Sequence, residues 1–142
     1  MTPRILVVDD EPDVQDLIKR KFRKQIRKGE FEFDFALDGQ QALDRIKETG
    51  QFDIVLSDIN MPRMDWLTLL SHLREHTSVM KTIIVSAYGD MDNIRTAMNR
   101  GAFDFVTKPI NFDDLLLTID KSLEELRYLK ELIERMTKAE TL

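Results

Sequence analysis

Residues 4–12 read Arg4-Ile5-Leu6-Val7-Val8-Asp9-Asp10-Glu11-Pro12. A short run of branched apolar residues passes straight into three acids and a proline suited to a first helical turn. That is a buried strand feeding a helix, with carboxylates at the joint. Residues 52–57 and 82–86 are further continuous apolar runs, as expected of strands covered on both faces. Phe31-Glu32-Phe33-Asp34-Phe35 alternates with period two, the pattern of a strand near a sheet edge. Residues 103–107 predict a fifth strand. Helical patterns fill the intervals at 12–27, 40–48, 65–76, 90–99 and from 112 onward, and Gly50 and Gly101 suit helix ends. Strands and helices in strict alternation predict an α/β fold whose parallel strands are joined by right-handed crossovers.

The chain has 142 residues, 42% hydrophobic and 33% charged, the composition of one globular domain. Its longest apolar runs fall far short of the ~20 residues of a membrane span. The N-terminus leads directly into the first strand, which leaves no room for a signal peptide. Absence of cysteine excludes disulfides, thiol catalysis and thiolate metal sites. A net charge of -5 argues against nucleic-acid binding. The expectation is a cytoplasmic domain without membrane or nucleic-acid contact.

Open parallel sheets bind ligands beyond the carboxyl ends of their strands. Asp9 and Asp10 follow the first strand, Asp58 and Asn60 end the third, Ser86 ends the fourth, and Lys108 ends the fifth. Clustered carboxylates call for a cation, and an all-oxygen set suits Mg²⁺ or Mn²⁺. A metal so held neutralises phosphoryl oxygens. A carboxylate can itself attack phosphorus to give an aspartyl-phosphate, with Lys108 as a mobile positive charge and Ser86 as a hydroxyl donor.

Four stretches together resemble the receiver domain of two-component response regulators: Ile5 to Glu11, Ser57-Asp58-Ile59-Asn60-Met61-Pro62-Arg63-Met64-Asp65, Val85-Ser86-Ala87-Tyr88, and Gly101 to Pro109. The resemblance covers residues 1 to about 123. It implies a flavodoxin-like (βα)5 fold, strand order 2-1-3-4-5. It implies that Asp58 accepts a phosphoryl group from a sensor histidine kinase or a histidine phosphotransfer protein. Asp10, Asp58 and the backbone carbonyl of Asn60 would ligate Mg²⁺, with Asp9 assisting. Lys108 would pair with the phosphoryl group, and its bond to Pro109 would be cis. Ser86 would move toward the phosphoryl group and Phe105 would turn inward. The function implied is regulatory rather than enzymatic. Trp66 departs from the family's usual glycine and Phe105 from its common tyrosine. Tyr88 is bulky enough to shield the phosphorus from in-line water.

Two other functions compete. A haloacid-dehalogenase-type phosphatase also uses an aspartate after a strand, but wants a second aspartate where this chain has Asn60. A pseudo-receiver kept for dimerisation would not need the full set Asp9, Asp10, Asp58, Ser86 and Lys108. His72-Leu73-Arg74-Glu75-His76 fits a zinc-peptidase pattern, though no third ligand is evident and surface histidines are expected. Seven basic residues stand between Lys19 and Lys28, either a solvated face or a docking surface beside the site.

After residue 121 the composition shifts to Leu, Glu, Lys and Arg, so residues 1–121 read as the receiver and 122–142 as a helical extension or linker to an output domain. Phe112, Ile119, Leu126 and Ile133 fall at a, and Leu115, Ser122, Leu129 and Met136 at d, of a heptad seam. A parallel homodimeric coiled coil is expected, with Glu125 facing Lys130 of the partner.

Overall fold

The structure is a computed structural model that describes residues 2–49, 52–59, 66–76, 80–87 and 89–141, with side chains described at all of these except 67, 73–76 and 140–141. Its strands are β1 (Arg4–Val8), β2 (Glu32–Ala36), β3 (Ile54–Asp58), β4 (Lys81–Ala87) and β5 (Asp104–Lys108). Its helices are α1 (Pro12–Lys21), α2 (Arg23–Arg27), α3 (Gly39–Thr49), α4 (Trp66–His76), α5 (Met91–Asn99) and α6 (Phe112–Thr141). The strands form one parallel sheet in the order β2-β1-β3-β4-β5. The first strand has the bounds expected of it, and the bounds of the other four shift by one or two residues. Gly101, at φ 110, ends α5 in a conformation that side chains with a Cβ rarely adopt.

Period-two alternation sorts each strand between two covered faces. Ile5, Val7, Ile54, Leu56, Ile83 and Val85 meet Ile18 of α1 and Leu115, Ile119 and Leu126 of α6. On the other face Leu6, Val8 and Val55 meet α3 and Leu69, while Ile84 meets Trp66, Ile94 and Ala97. Trp66, 1% exposed, therefore fills the space between α4, β4 and α5. Its bulk is core; the loop before it, residues 60–65, lies outside the described residues.

The expected single helix over residues 12–27 is broken. At Phe22 the backbone leaves helical geometry (φ -106, ψ 21), separating α1 from α2. The Phe22 ring is clamped by Phe31, Phe33 and Phe112, with centroids 5.8, 5.7 and 5.9 Å away. Helical patterning sees only the four-residue spacing of Val14, Ile18, Phe22 and Ile26, not the packing that bends the chain. Arg23, Ile26 and Arg27 line a groove with Glu32 and Phe33. Glu32 pairs in register with Arg4, at the amino ends of the strands. This part of the basic segment thus lies at the end of the sheet opposite the acids, which speaks against the docking-surface alternative beside the site and leaves the solvated face.

The seam expected of α6 is not free along its length. Leu115, Ile119 and Leu126 belong to the domain core, Phe112 packs against it, and Ser122 is fully buried with its hydroxyl donating to Thr118 O at 2.7 Å. Lys121 Nζ reaches Asp104 at 2.7 Å, and Lys130 Nζ reaches Asp53 at 3.0 Å. Lys130 is thus engaged within its own chain rather than poised for a partner's Glu125. Tyr128 between the two tethers, and Leu132, Ile133 and Met136 beyond them, are exposed. Among the described residues no helix is long and apolar enough to cross a membrane.

Because the Phe22 ring joins α1, β2 and α6, Phe22→Ala should lower stability by about 3–5 kcal/mol, while Phe22→Leu, which keeps most of the buried apolar volume, should cost less. Urea denaturation reads this directly. An alanine variant as stable as wild type would show that the aromatic cluster does not anchor this face.

Candidate functional site

Register puts the reactive side chains together. Val8 pairs with Ser57, so Asp9, one residue on, lies beside Asp58. Asp58 pairs with Val85, and Ala87 with Lys108. Lys108 stands two strands from β3, about 10 Å at the usual strand spacing. It follows the parity of Val106 as Asp58 follows Leu56, and both of these face α1 and α6. Its four-carbon stem closes the gap: Lys108 Nζ lies 2.7 Å from Asp58 Oδ2 and 3.6 Å from Asp9 Oδ2.

Carboxylate oxygens of Asp9, Asp10 and Asp58 all lie within 4.8 Å of one another. Asp9 and Asp58 are buried, 5% and 8% exposed, while Asp10 is open to solvent. Such a set fits a hard, oxygen-seeking divalent cation that keeps water on its open side. Among the described residues this is the one group of three or more His, Cys, Asp or Glu side chains close enough to share an ion. His72 does not join such a group, and the His76 side chain lies outside the described residues. So do Asn60, assigned a metal-ligating carbonyl by the family resemblance, and Tyr88, assigned the shielding role.

Burying an acid in this group has an electrostatic cost, visible at Asp9. Burial pushes its carboxyl above the usual range, and Asp58 and Glu11 push the same way. The Glu11 N–H, which donates to Asp9 Oδ1 at 2.9 Å, and Lys108 pull it down without cancelling the rise. For Lys108, burial works to lower its proton affinity. The Asp58 hydrogen bond and the charges of Asp58, Asp9 and Glu11 outweigh this, so the ammonium is held above its ordinary value. Lys108 thus acts as the internal counter-ion of the acid cluster. The Lys108–Pro109 bond is cis.

Ser86 stands differently. It is 1% exposed and follows the parity of Ile84, which faces α5. Its hydroxyl donates to Asp90 Oδ2 at 3.1 Å. The sequence reading missed Asp90, although an aspartate just before a helical run is a recognisable N-cap signal. Phe105 is exposed on β5.

The response regulator receiver domain model matches residues 5–120. The chain is 35% identical over 136 residues to the regulatory protein AtoC of Escherichia coli K12, covering 96% of this chain and 28% of that protein. It is 34% identical over 123 residues to the chemotaxis protein CheY of Bacillus subtilis, covering 87% of this chain and 99% of that one. A solved receiver domain protein from Clostridium thermocellum superposes with a TM-score of 0.80 at 29% identity, covering 89% of this chain and 98% of that one. The chain spans only 28% and 26% of its relatives AtoC and NtrC from Proteus hauseri.

Asp9→Asn keeps an acceptor for the Glu11 N–H and removes a buried charge. In metal-free buffer at neutral pH it should stabilise the fold by about 1 kcal/mol. A carboxyl raised by folding disfavours the folded state only where it is ionised. The gain should therefore disappear as pH falls below the ordinary carboxylate range. Urea midpoints across pH test this; an unchanged or lower midpoint at pH 7 contradicts the claim that burial penalises the ionised Asp9.

Proposed function

The chain belongs to the receiver domain family of two-component response regulators, and from that premise we propose that Asp58 is its phosphoacceptor. A carboxylate oxygen of Asp58 attacks the phosphorus of a phosphohistidine on a sensor kinase or histidine phosphotransfer protein. The P–N bond breaks as the P–O bond forms, and the released imidazole nitrogen takes up a proton. What supports this reading is the buried Asp58 carboxylate with Lys108 Nζ at 2.7 Å and the Asp9 and Asp10 oxygens within 4.8 Å.

Asp9, Asp10 and Asp58, with the Asn60 carbonyl, would hold Mg²⁺, or Mn²⁺ in its place. When bound, the ion neutralises charge on the phosphoryl oxygens. Lys108, already beside Asp58, shifts its ammonium to a phosphoryl oxygen as the carboxylate becomes an acyl phosphate. Ser86 then gives its hydroxyl to another oxygen, and Phe105 turns inward into the space it leaves. A local change of charge thereby biases a two-state surface around α5, β5 and α6. The domain works in the cytoplasm as a regulator and catalyses only the gain and loss of its own phosphoryl group.

Residues 1–121 form the receiver, and residues 122–142 carry its signal to an output domain or to a second copy. The exposed Leu132, Ile133 and Met136 beyond the last tether support a homodimer through this part of α6. The contact is shorter than the full heptad pattern, because the earlier apolar positions lie in the core.

Incubation with acetyl phosphate and Mg²⁺ should add one phosphoryl group by intact mass, and Asp58→Ala should add none. A wild type without the adduct, or an alanine variant that keeps it, sinks the phosphoacceptor assignment. For the dimer, truncation after Lys121 would strip Leu126 from the core, so paired Ile133→Glu and Met136→Glu substitutions are the better probe. Sedimentation at tens of micromolar should show wild type self-associating and the double variant monomeric; a monomeric wild type, with and without a phosphoryl mimic, rules the contact out.

A further inference from the structure

Asp90 occupies the N-cap position of α5, yet its carboxylate makes no cap hydrogen bond to that helix. An N-cap aspartate ordinarily accepts from the second or third N–H of its helix. Here the carboxylate is committed elsewhere. Oδ2 accepts the Ser86 hydroxyl at 3.1 Å, and the Asn93 side-chain amide donates to both oxygens at 3.0 Å. The first N–H groups of any helix lack intrahelical partners, so Asp90 has a second use for its oxygens within reach. The backbone on either side of Asp90 is tied down. Its own N–H donates to Ala87 O at 3.2 Å, and its carbonyl accepts from Ile94 at 3.1 Å. A change of partner therefore needs only side-chain rotation.

The strand pleat makes the choice binary. Ser86 lies on the α5 side of β4, while Asp58 and Lys108 lie on the α1 and α6 side of the sheet. The one hydroxyl proton of Ser86 cannot serve Asp90 and a group on Asp58 together.

We propose that Asp90 is a positioning residue for the switch: it holds the Ser86 hydroxyl away from Asp58 in the unphosphorylated domain and, once released, turns to cap the first turn of α5. The proposal rests on the phosphoacceptor reading of Asp58 and adds the element that links Ser86 to α5. Movement of Ser86 toward a phosphoryl oxygen exchanges one hydrogen bond for another and tightens the helix start in the same step.

Asp90→Ser tests the idea, because serine caps helices about as well as aspartate but lacks the carboxylate that detains Ser86. Backbone NMR shifts of Ala87 and Thr107, in wild type with and without beryllofluoride and Mg²⁺, define the two ends of the transition. Without beryllofluoride, Asp90→Ser should raise the population of the shifted state about tenfold, as expected for loss of a hydrogen bond to a charged acceptor. Thermal stability of Asp90→Ser should stay near that of wild type, so that a shifted population without a fall in stability separates the latch from a merely structural role. In a Ser86→Ala background the same Asp90 substitution should move nothing. The two failures are separable. A wild type that ignores beryllofluoride overturns the phosphoacceptor reading and this proposal with it. A wild type that responds, with Asp90→Ser unshifted or shifted equally in the Ser86→Ala background, overturns the latch alone.

Discussion

The contact on which the rest depends is the 2.7 Å ion pair between Lys108 and Asp58. Without a cation, two buried carboxylates and a third beside them would repel in a medium that screens charge poorly. Lysine suits the task because it carries a compact charge on a flexible stem. It can neutralise Asp58 in one state and follow a new negative charge in another. That demand explains the frame around it. Parallel strands bring all three acids and the lysine to one sheet end, and helices on both faces keep water from the strands beneath.

The same pleat that unites Asp58 with Lys108 separates them from Ser86. Residues of equal parity on β3 and β5 share a face, while Ser86 on β4 looks the other way, toward Asp90. A site of this kind is divided by construction: its charge-bearing half sits over α1 and α6, its hydroxyl half over α5. The two halves meet only at the sheet end, where side chains of either face come within reach of one another. Trp66 stiffens the α5 half by filling the space between α4, β4 and α5. A glycine at that position would leave the space to be filled by other means.

The long helix α6 illustrates how one pattern can serve two ends. Apolar residues spaced three and four apart mark a coiled-coil seam and equally a helix lying on a sheet. Up to Leu126 the stripe lies in the domain core, and the ion pairs of Lys121 and Lys130 hold the helix down. Past Lys130 the sheet no longer covers it, and the stripe emerges at Ile133 and Met136. Periodicity describes one helix face; it says nothing about which body that face meets.

The alternation of strands and helices, the parallel sheet and the sheet end carrying Asp9, Asp10, Asp58, Ser86 and Lys108 were all legible in the sequence, because burial period and turn chemistry are local properties. The break at Phe22, the core role of Trp66, the partner of Ser86 and the split use of α6 were not. Three of these depend on groups far apart in the chain, Phe22 with Phe112, Trp66 with Ile94 and Lys130 with Asp53; the fourth, Ser86 with Asp90, joins near neighbours but turns on which way the pleat points the serine. Sequence alone determined which chemistry gathers at the strand ends, since residue type and strand period do not need a third dimension. Only tertiary packing decided which carboxylate holds the lysine, which holds the serine, and which part of α6 is left exposed, since distance and burial are properties of the folded chain.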